Sequence, residues 1–148
     1  MPLIEGVAVK ELSFIPDERG RLVEILRRDD PIFEKFGQVY LTTAYPGIIK
    51  AWHYHLIQAD YFAVLRGMAK IVLYDGRENS ATPGLLNEFF AGEYRPLLIR
   101  IPPLVFHGFK ALGEREVLLI NCPTEPYNRE NPDEYRLPPD SKKIPYVW

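Results

Sequence analysis

GIIKAWHYHLIQADYFAVLRG, residues 47–67, sets a His-x-His pair, His53 and His55, with five residues between Gly47 and His53, four between His55 and Asp60, and six between Asp60 and the closing Gly67. Side chains two apart on a strand share a face, so His53 and His55 point the same way, and Asp60 follows across a turn at the head of a second apolar run. The only other histidine of the chain, His107, lies in PPLVFHGF, residues 102–109. A small β-barrel would bring all three to one cavity.

Working outward, β-branched and aromatic runs recur between Gly, Pro and Asp clusters: GQVYLTTAY, DYFAVLRG, MAKIVLYDG, LLIRIP and EVLLIN. Fourteen prolines and nine tyrosines suit edge strands and turns, and no long stretch carries a helical apolar stripe. The fold class is therefore all-β. The best helix candidate covers residues 30 to 36 and is a turn or two long. From about residue 123 the chain is proline-rich and polar but keeps Tyr127, Tyr135, Tyr146 and Trp148. It reads as an irregular tail draped over a single domain spanning 1–148.

The 148 residues suffice to bury a core without disulfides, and Cys122 is the only cysteine. It sits at an apolar strand end beside a proline and is expected to be buried and inert. A net charge of −2 offers no basic stripe for nucleic acid, and no apolar run approaches the roughly 20 residues of a membrane span. The N-terminus lacks a signal-peptide pattern, so a cytoplasmic protein is expected. Trp52 and Tyr54 alternate with the histidines and face away from the cavity, as core or dimer contacts.

The Gly47 to Gly67 spacing resembles the first motif of the cupins, with Asp60 where a glutamate is usual. Pro102 to His107 resembles the second, with Leu104 where a turn glycine is expected. The resemblance implies a jelly-roll β-barrel and a possible divalent metal held by His53, His55, Asp60 and His107. Three imidazoles and a carboxylate suit Zn, Fe, Mn, Ni or Cu. The other reading of the same residues is a hydrogen-bonded polar cavity without metal.

A second resemblance covers most of the chain. Asp17-x-Arg19-Gly20-x-Leu22-x-Glu24, Asp75-x-Arg77-x-x-Ser80-x-Thr82, Gly47-x-x-Lys50-x-x-His53-Tyr54, His107-Gly108-Phe109 and Asn121 through Tyr127 are similar to successive motifs of the dTDP-4-dehydrorhamnose 3,5-epimerases, RmlC-like cupins that act on nucleotide-linked keto sugars. The resemblance implies His53 as the base that removes a proton beside the C4 carbonyl, with no cofactor. It implies Lys50 and His107 near the keto oxygen or a phosphate, and Arg19, Glu24 and Tyr127 for the nucleotide, partly across a homodimer interface. A homodimer also follows from the need to cover an open sheet edge. Asp75 and Arg77 are expected to form an exposed turn with a local ion pair.

Several positions depart from the epimerase pattern. Lys50 replaces an arginine, Asp60 aligns with a lysine, and Asn121 stands where a tyrosine returns the proton. No counterpart of the aspartate that orients the base occurs before Trp148. The His53-x-His55 pair is instead similar to that of sugar 3,4-ketoisomerases. The readings are thus an epimerase or isomerase using His53, His55 and Asp60, a metal-dependent cupin, and a sugar-nucleotide binding module without catalysis.

Overall fold

The computed structural model describes residues 1–148 and contains twelve strands and no helix: β1 Ala8–Glu11, β2 Phe14–Asp17, β3 Gly20–Val23, β4 Tyr40–Ala44, β5 Ile49–Tyr54, β6 Asp60–Arg66, β7 Met68–Tyr74, β8 Leu86–Gly92, β9 Leu97–Ile101, β10 Phe106–Leu112, β11 Val117–Asn121 and β12 Tyr135–Arg136. Every named pairing is antiparallel. One sheet runs β1-β9-β6-β11-β4, the other β12-β5-β10-β7-β8, and β2 and β3 form a separate hairpin. The five apolar runs read from the sequence are β4, β6, β7, β9 and β11. The two large sheets face one another without closing, a jelly-roll sandwich rather than a sealed barrel.

Alternation fills the space between the sheets. Ala69, Ile71 and Leu73 of β7 meet Ile99 and Ile101 of β9 and Leu119 of β11 in the main core. The opposite faces would be left wet by a bare sandwich, and irregular chain covers both. Val23, Ile25, Leu26 and Ile32 pack on Tyr61, Ala63 and Leu98 of the first sheet. The tail packs Ile144, Tyr146 and Trp148 on Trp52 and Val72 of the second.

Residues 30 to 36 form no helix. The segment makes a single turn, Phe33 N–H to the Asp30 carbonyl at 3.0 Å, and the Ile32 carbonyl accepts the Tyr61 hydroxyl at 2.7 Å. So short a stretch nucleates poorly, and packing Ile32 against the sheet decides its path. Asp75 is fully buried rather than on an exposed turn. Its carboxylate accepts hydrogen bonds from Arg77, Ser80 and Thr82, which order the loop after β7. Since no helix is long and apolar enough to cross a membrane, none serves as a helical span.

The tail is ordered by its contacts. Trp52 and Leu137 exchange two backbone hydrogen bonds of 2.8 and 3.0 Å, and β12 pairs with β5. The Trp52 ring, wholly buried, lies 4.9 Å from that of Trp148 and meets Tyr146 edge-on at 5.9 Å. Trp52 is therefore a core residue of its own chain. Ile144, 3% exposed, should cost about 2–5 kcal/mol when cut to alanine, read as a lower urea midpoint. An unchanged midpoint would show that the tail closes no core.

Candidate active site

The site lies where β5, β6 and β10 meet at one end of the sandwich. His53 is on β5, His55 just past its end, Asp60 opens β6, and His107 is the second residue of β10. His107 and His53 are register partners across β10 and β5, and the register shifts between His107 and Phe109. Gly108 allows this crossing, because a Cβ there would fall 2.3 Å from the Cβ of Ala51. The turn before β10 keeps the left-handed backbone of the second cupin motif although leucine occupies it: Leu104 has φ 69° and its N–H donates to the His55 carbonyl at 2.7 Å.

Asp60 organises the cluster. It is 1% exposed, and its Oδ2 lies 3.0 Å from His55 Nε2 and 3.1 Å from His107 Nε2. Oδ1 accepts the Gln58 side-chain amide at 2.7 Å. Burial opposes ionisation, yet the hydrogen bonds from His107 and His55 prevail and hold Asp60 well below the usual carboxylate range. The far sides of both rings are also engaged. His55 Nδ1 donates to the Asp133 carbonyl at 2.6 Å, and His107 Nδ1 to the Val105 carbonyl at 3.0 Å. Burial alone would discharge His55, but Asp60 and Asp133 outweigh it and raise its pKa. Asp133 also accepts the backbone N–H groups of Leu56, Ile57 and Gln58 at 2.7, 2.9 and 3.0 Å. The tail thus pins the turn that carries His55.

His53 stands apart from this cluster. Its ring centre is 6.1 Å from that of His107, and burial, with the charges of His107 and Arg136, pushes its pKa down to about 4. A neutral imidazole at ordinary pH is a free base. Its Nδ1 faces Glu134 Oε1 at 3.6 Å, and Glu134 is fixed by Arg136 at 2.7 and 3.1 Å. The tail thus brings a carboxylate near His53, 3.6 Å from its ring, where the sequence pointed to none. Nothing in the sequence marked Glu134 or Asp133, since an irregular segment has no periodicity to place them.

These groups wall a cavity of about 1720 Å³ between the sheets, roomier than the roughly 300–1,000 Å³ of drug-sized sites. Tyr40, Thr42 and Phe62 line it from the first sheet, Lys50, His53 and Phe109 from the second, and residues 125–139 roof it. Lys50 Nζ donates to Thr42 Oγ1 at 3.0 Å across the gap. Tyr127 also lines it, half exposed, with its backbone N–H on Gln38 Oε1 at 2.7 Å. Arg19 and Glu24 do not reach the cavity of their own chain. Arg19, at the β2–β3 turn, pairs with Asp17 at 2.6 Å, and Glu24, just past β3, pairs with Arg27 at 3.1 Å. Cys122 is half-buried rather than buried, and that burial pushes its thiol pKa up.

The sequence did not single out Tyr40, although Tyr40 and Thr42 alternate on β4 and so share its cavity face. For a metal, His55, Asp60 and His107 offer one ligand atom each within 4.8 Å of one another, and His53 is not among them. Of the four residues named for a metal, these three converge. The donors fit a divalent cation. Each ring has Nδ1 fixed on a backbone carbonyl, the arrangement that aims Nε2 at a metal. When Nδ1 carries the ring's only proton, the Nε2 lone pair faces Asp60 Oδ2, which demands a second proton or a cation between them.

The model of the polysaccharide biosynthesis C-terminal domain family matches residues 15–135. The chain is 45% identical over 150 residues to the probable low-salt glycan biosynthesis epimerase Agl13 of Haloferax volcanii, covering 100% of this chain and 96% of the relative. It is 42% identical over 146 residues to the spore coat polysaccharide biosynthesis protein SpsL of Bacillus subtilis, at 99% and 97% coverage. A solved dTDP sugar isomerase from Desulfovibrio desulfuricans G20 superposes with a TM-score of 0.93 at 39% identity, over 98% of this chain and 92% of that one. A dTDP-4-dehydrorhamnose 3,5-epimerase from Elizabethkingia anophelis NUHP1, at 23% identity, shares the fold with a TM-score of 0.81 over 100% and 84% of the two chains.

The two histidines of the His-x-His pair should titrate in opposite directions. In chelator-treated protein, ring ¹⁵N shifts should show His53 neutral until the pH falls to about 4 and His55 still protonated above its ordinary value of about 6.5. Both titrating near 6.5 would contradict this electrostatic picture.

Proposed function

The chain belongs to the polysaccharide biosynthesis C-terminal domain family, and we propose that it is a nucleotide-sugar epimerase or isomerase that moves a proton beside the C4 carbonyl of a nucleotide-linked 4-keto sugar. The observation that carries this reading is His53: a desolvated, neutral imidazole on the wall of a cavity large enough for a nucleotide sugar, with a carboxylate on its far side. The kinship to an epimerase and to a dTDP sugar isomerase supports the substrate class.

The chemistry follows from the groups present. Removing a proton from the carbon beside a ketone requires a base and a means of holding the charge that develops on the keto oxygen. His53 takes the proton, and the Glu134 carboxylate lies 3.6 Å from its Nδ1, placed to answer the charge the ring gains. The Lys50 ammonium and the His55–Asp60–His107 cluster flank the same space. Asp60 is ionised, and two imidazoles and an amide hydrogen-bond its oxygens. Lys50, on the cavity wall, offers its ammonium to the enolate oxygen. Arg129, which lines the cavity without an ion-pair partner, offers charge to a diphosphate. Arg19 and Glu24 can contribute only from a second copy, which makes a homodimer part of the proposal.

The convergence of three ligand atoms favours a second reading in which His55, Asp60 and His107 hold a divalent metal. When bound, such a cation would supply Lewis acidity toward the keto oxygen. His53 remains the base in either case, and the proton it takes is the same.

In deuterated buffer the wild type should wash deuterium into dTDP-4-keto-6-deoxyglucose beside C4, and His53→Ala should slow this about 10²–10⁴-fold. Equal rates in the two proteins would remove His53 from the reaction. Elemental analysis of protein purified without a metal column decides the second reading: near-stoichiometric metal lost in Asp60→Ala supports it, and metal-free protein that still exchanges removes it.

A further inference from the structure

Proton abstraction is half of an epimerisation, and the resemblance to the epimerases puts Asn121 where a tyrosine would return the proton. The neighbouring strand fills the vacancy. Asn121 on β11 and Tyr40 on β4 are register partners. Asn121 is fully buried, and both ends of its amide are committed. Its Oδ1 accepts the backbone N–H of Tyr61 at 2.9 Å, which fixes the orientation of the amide because that N–H can only donate. Its Nδ2 then has to donate, and it does so to the Tyr40 hydroxyl oxygen at 2.9 Å.

A hydroxyl that accepts from one side keeps its own proton for another partner. The Tyr40 O–H has no protein acceptor, and its side chain lines the cavity together with Lys50, His53 and Asp60. Burial and the nearby Asp60 charge keep the phenol protonated, with its pKa pushed up to about 12. Asn121, which cannot itself return a proton, thereby becomes the residue that aims one.

The placement of the two strands supplies the stereochemistry. His53 is on β5 of one sheet and Tyr40 on β4 of the other, and these sheets face one another across the cavity. Lys50 of β5 spans the gap to Thr42, which lies on the same strand face as Tyr40. A flat enolate held between the sheets turns one face to each.

We infer that Tyr40 is the catalytic acid of this site, delivering a proton to the sugar face opposite His53, with Asn121 as its positioning residue. The assignment rests on the proton-transfer reading of the preceding subsection and deepens it from exchange to inversion. His53 removes the proton beside C4, the C–H pair becomes the enolate C=C, and the carbonyl π pair moves onto oxygen. On collapse the oxygen pair re-forms the C=O, and the C=C pair takes the Tyr40 proton from the other face, leaving a phenolate and an imidazolium. Solvent returns a proton to Tyr40 and removes one from His53. No oxidant or reductant is needed.

Tyr40→Phe removes the hydroxyl alone and separates the two halves. It should keep the His53-dependent entry of solvent deuterium into recovered dTDP-4-keto-6-deoxyglucose while epimer formation falls by about 10²-fold or more. Retained exchange also shows that the variant is folded. Epimer formation within about threefold of wild type would overturn the assignment, as would loss of exchange and epimer formation in equal measure, the mark of a packing role. Wild-type protein that catalyses no exchange overturns the functional reading and this assignment together, an outcome distinct from a failure of Tyr40 alone.

Discussion

A carboxylate cannot be buried alone, and the burial of Asp60 imposes most of what surrounds it. The desolvation cost of a lone buried charge is several kcal/mol, so its lone pairs must be answered by donors. Gln58 answers Oδ1, and His55 and His107 converge on Oδ2. One ring follows the end of β5 and the other sits on β10, and β10 lies tightly against β5 with glycine at 108. Both rings are braced from behind by backbone carbonyls, one of them belonging to the tail. The cluster is therefore over-determined, and a catalytic surface can be built beside it without itself bearing the strain of assembly.

The tail closes the account on the other side. Its aromatic end covers Trp52 on the back of the second sheet, and its middle crosses the mouth of the cavity. In crossing, it presents Asp133 to the β5–β6 turn and Glu134 to His53. Packing energy at one end thus fixes polar geometry at the other. The cavity that results has a base on one sheet and a phenol on the opposing one, which is the arrangement an inversion at carbon needs. The neutral state of His53 comes from desolvation on the same sheltered wall.

Much of this was legible in the residues. The His53-x-His55 spacing put two imidazoles at one cavity, the five apolar runs became strands, and the motifs similar to the epimerases led to the fold that the chain has. What escaped was whatever depends on register or irregular chain. Tyr40 and Asn121 are 81 residues apart, and only the β4–β11 pairing joins them. Glu134 and Asp133 lie where no periodicity predicts a direction. Asp60 looked like a misplaced negative charge because its neutralising partners are brought by folding rather than by neighbourhood in sequence. His53 and His55 were placed on one face by strand alternation, which does not predict the end of the strand, and β5 stops between them and leaves His53 apart from the cluster.

The central claim is that one sugar ring lies between His53 and Tyr40. A crystal structure with dTDP-quinovose, which lacks the reactive carbonyl, tests it most directly. The account predicts the sugar within the cavity between the two sheets, with the carbon beside C4 about 3–3.5 Å from His53 Nε2 and the Tyr40 hydroxyl on the other face. A sugar bound outside the cavity, or with both side chains on one face, would contradict it.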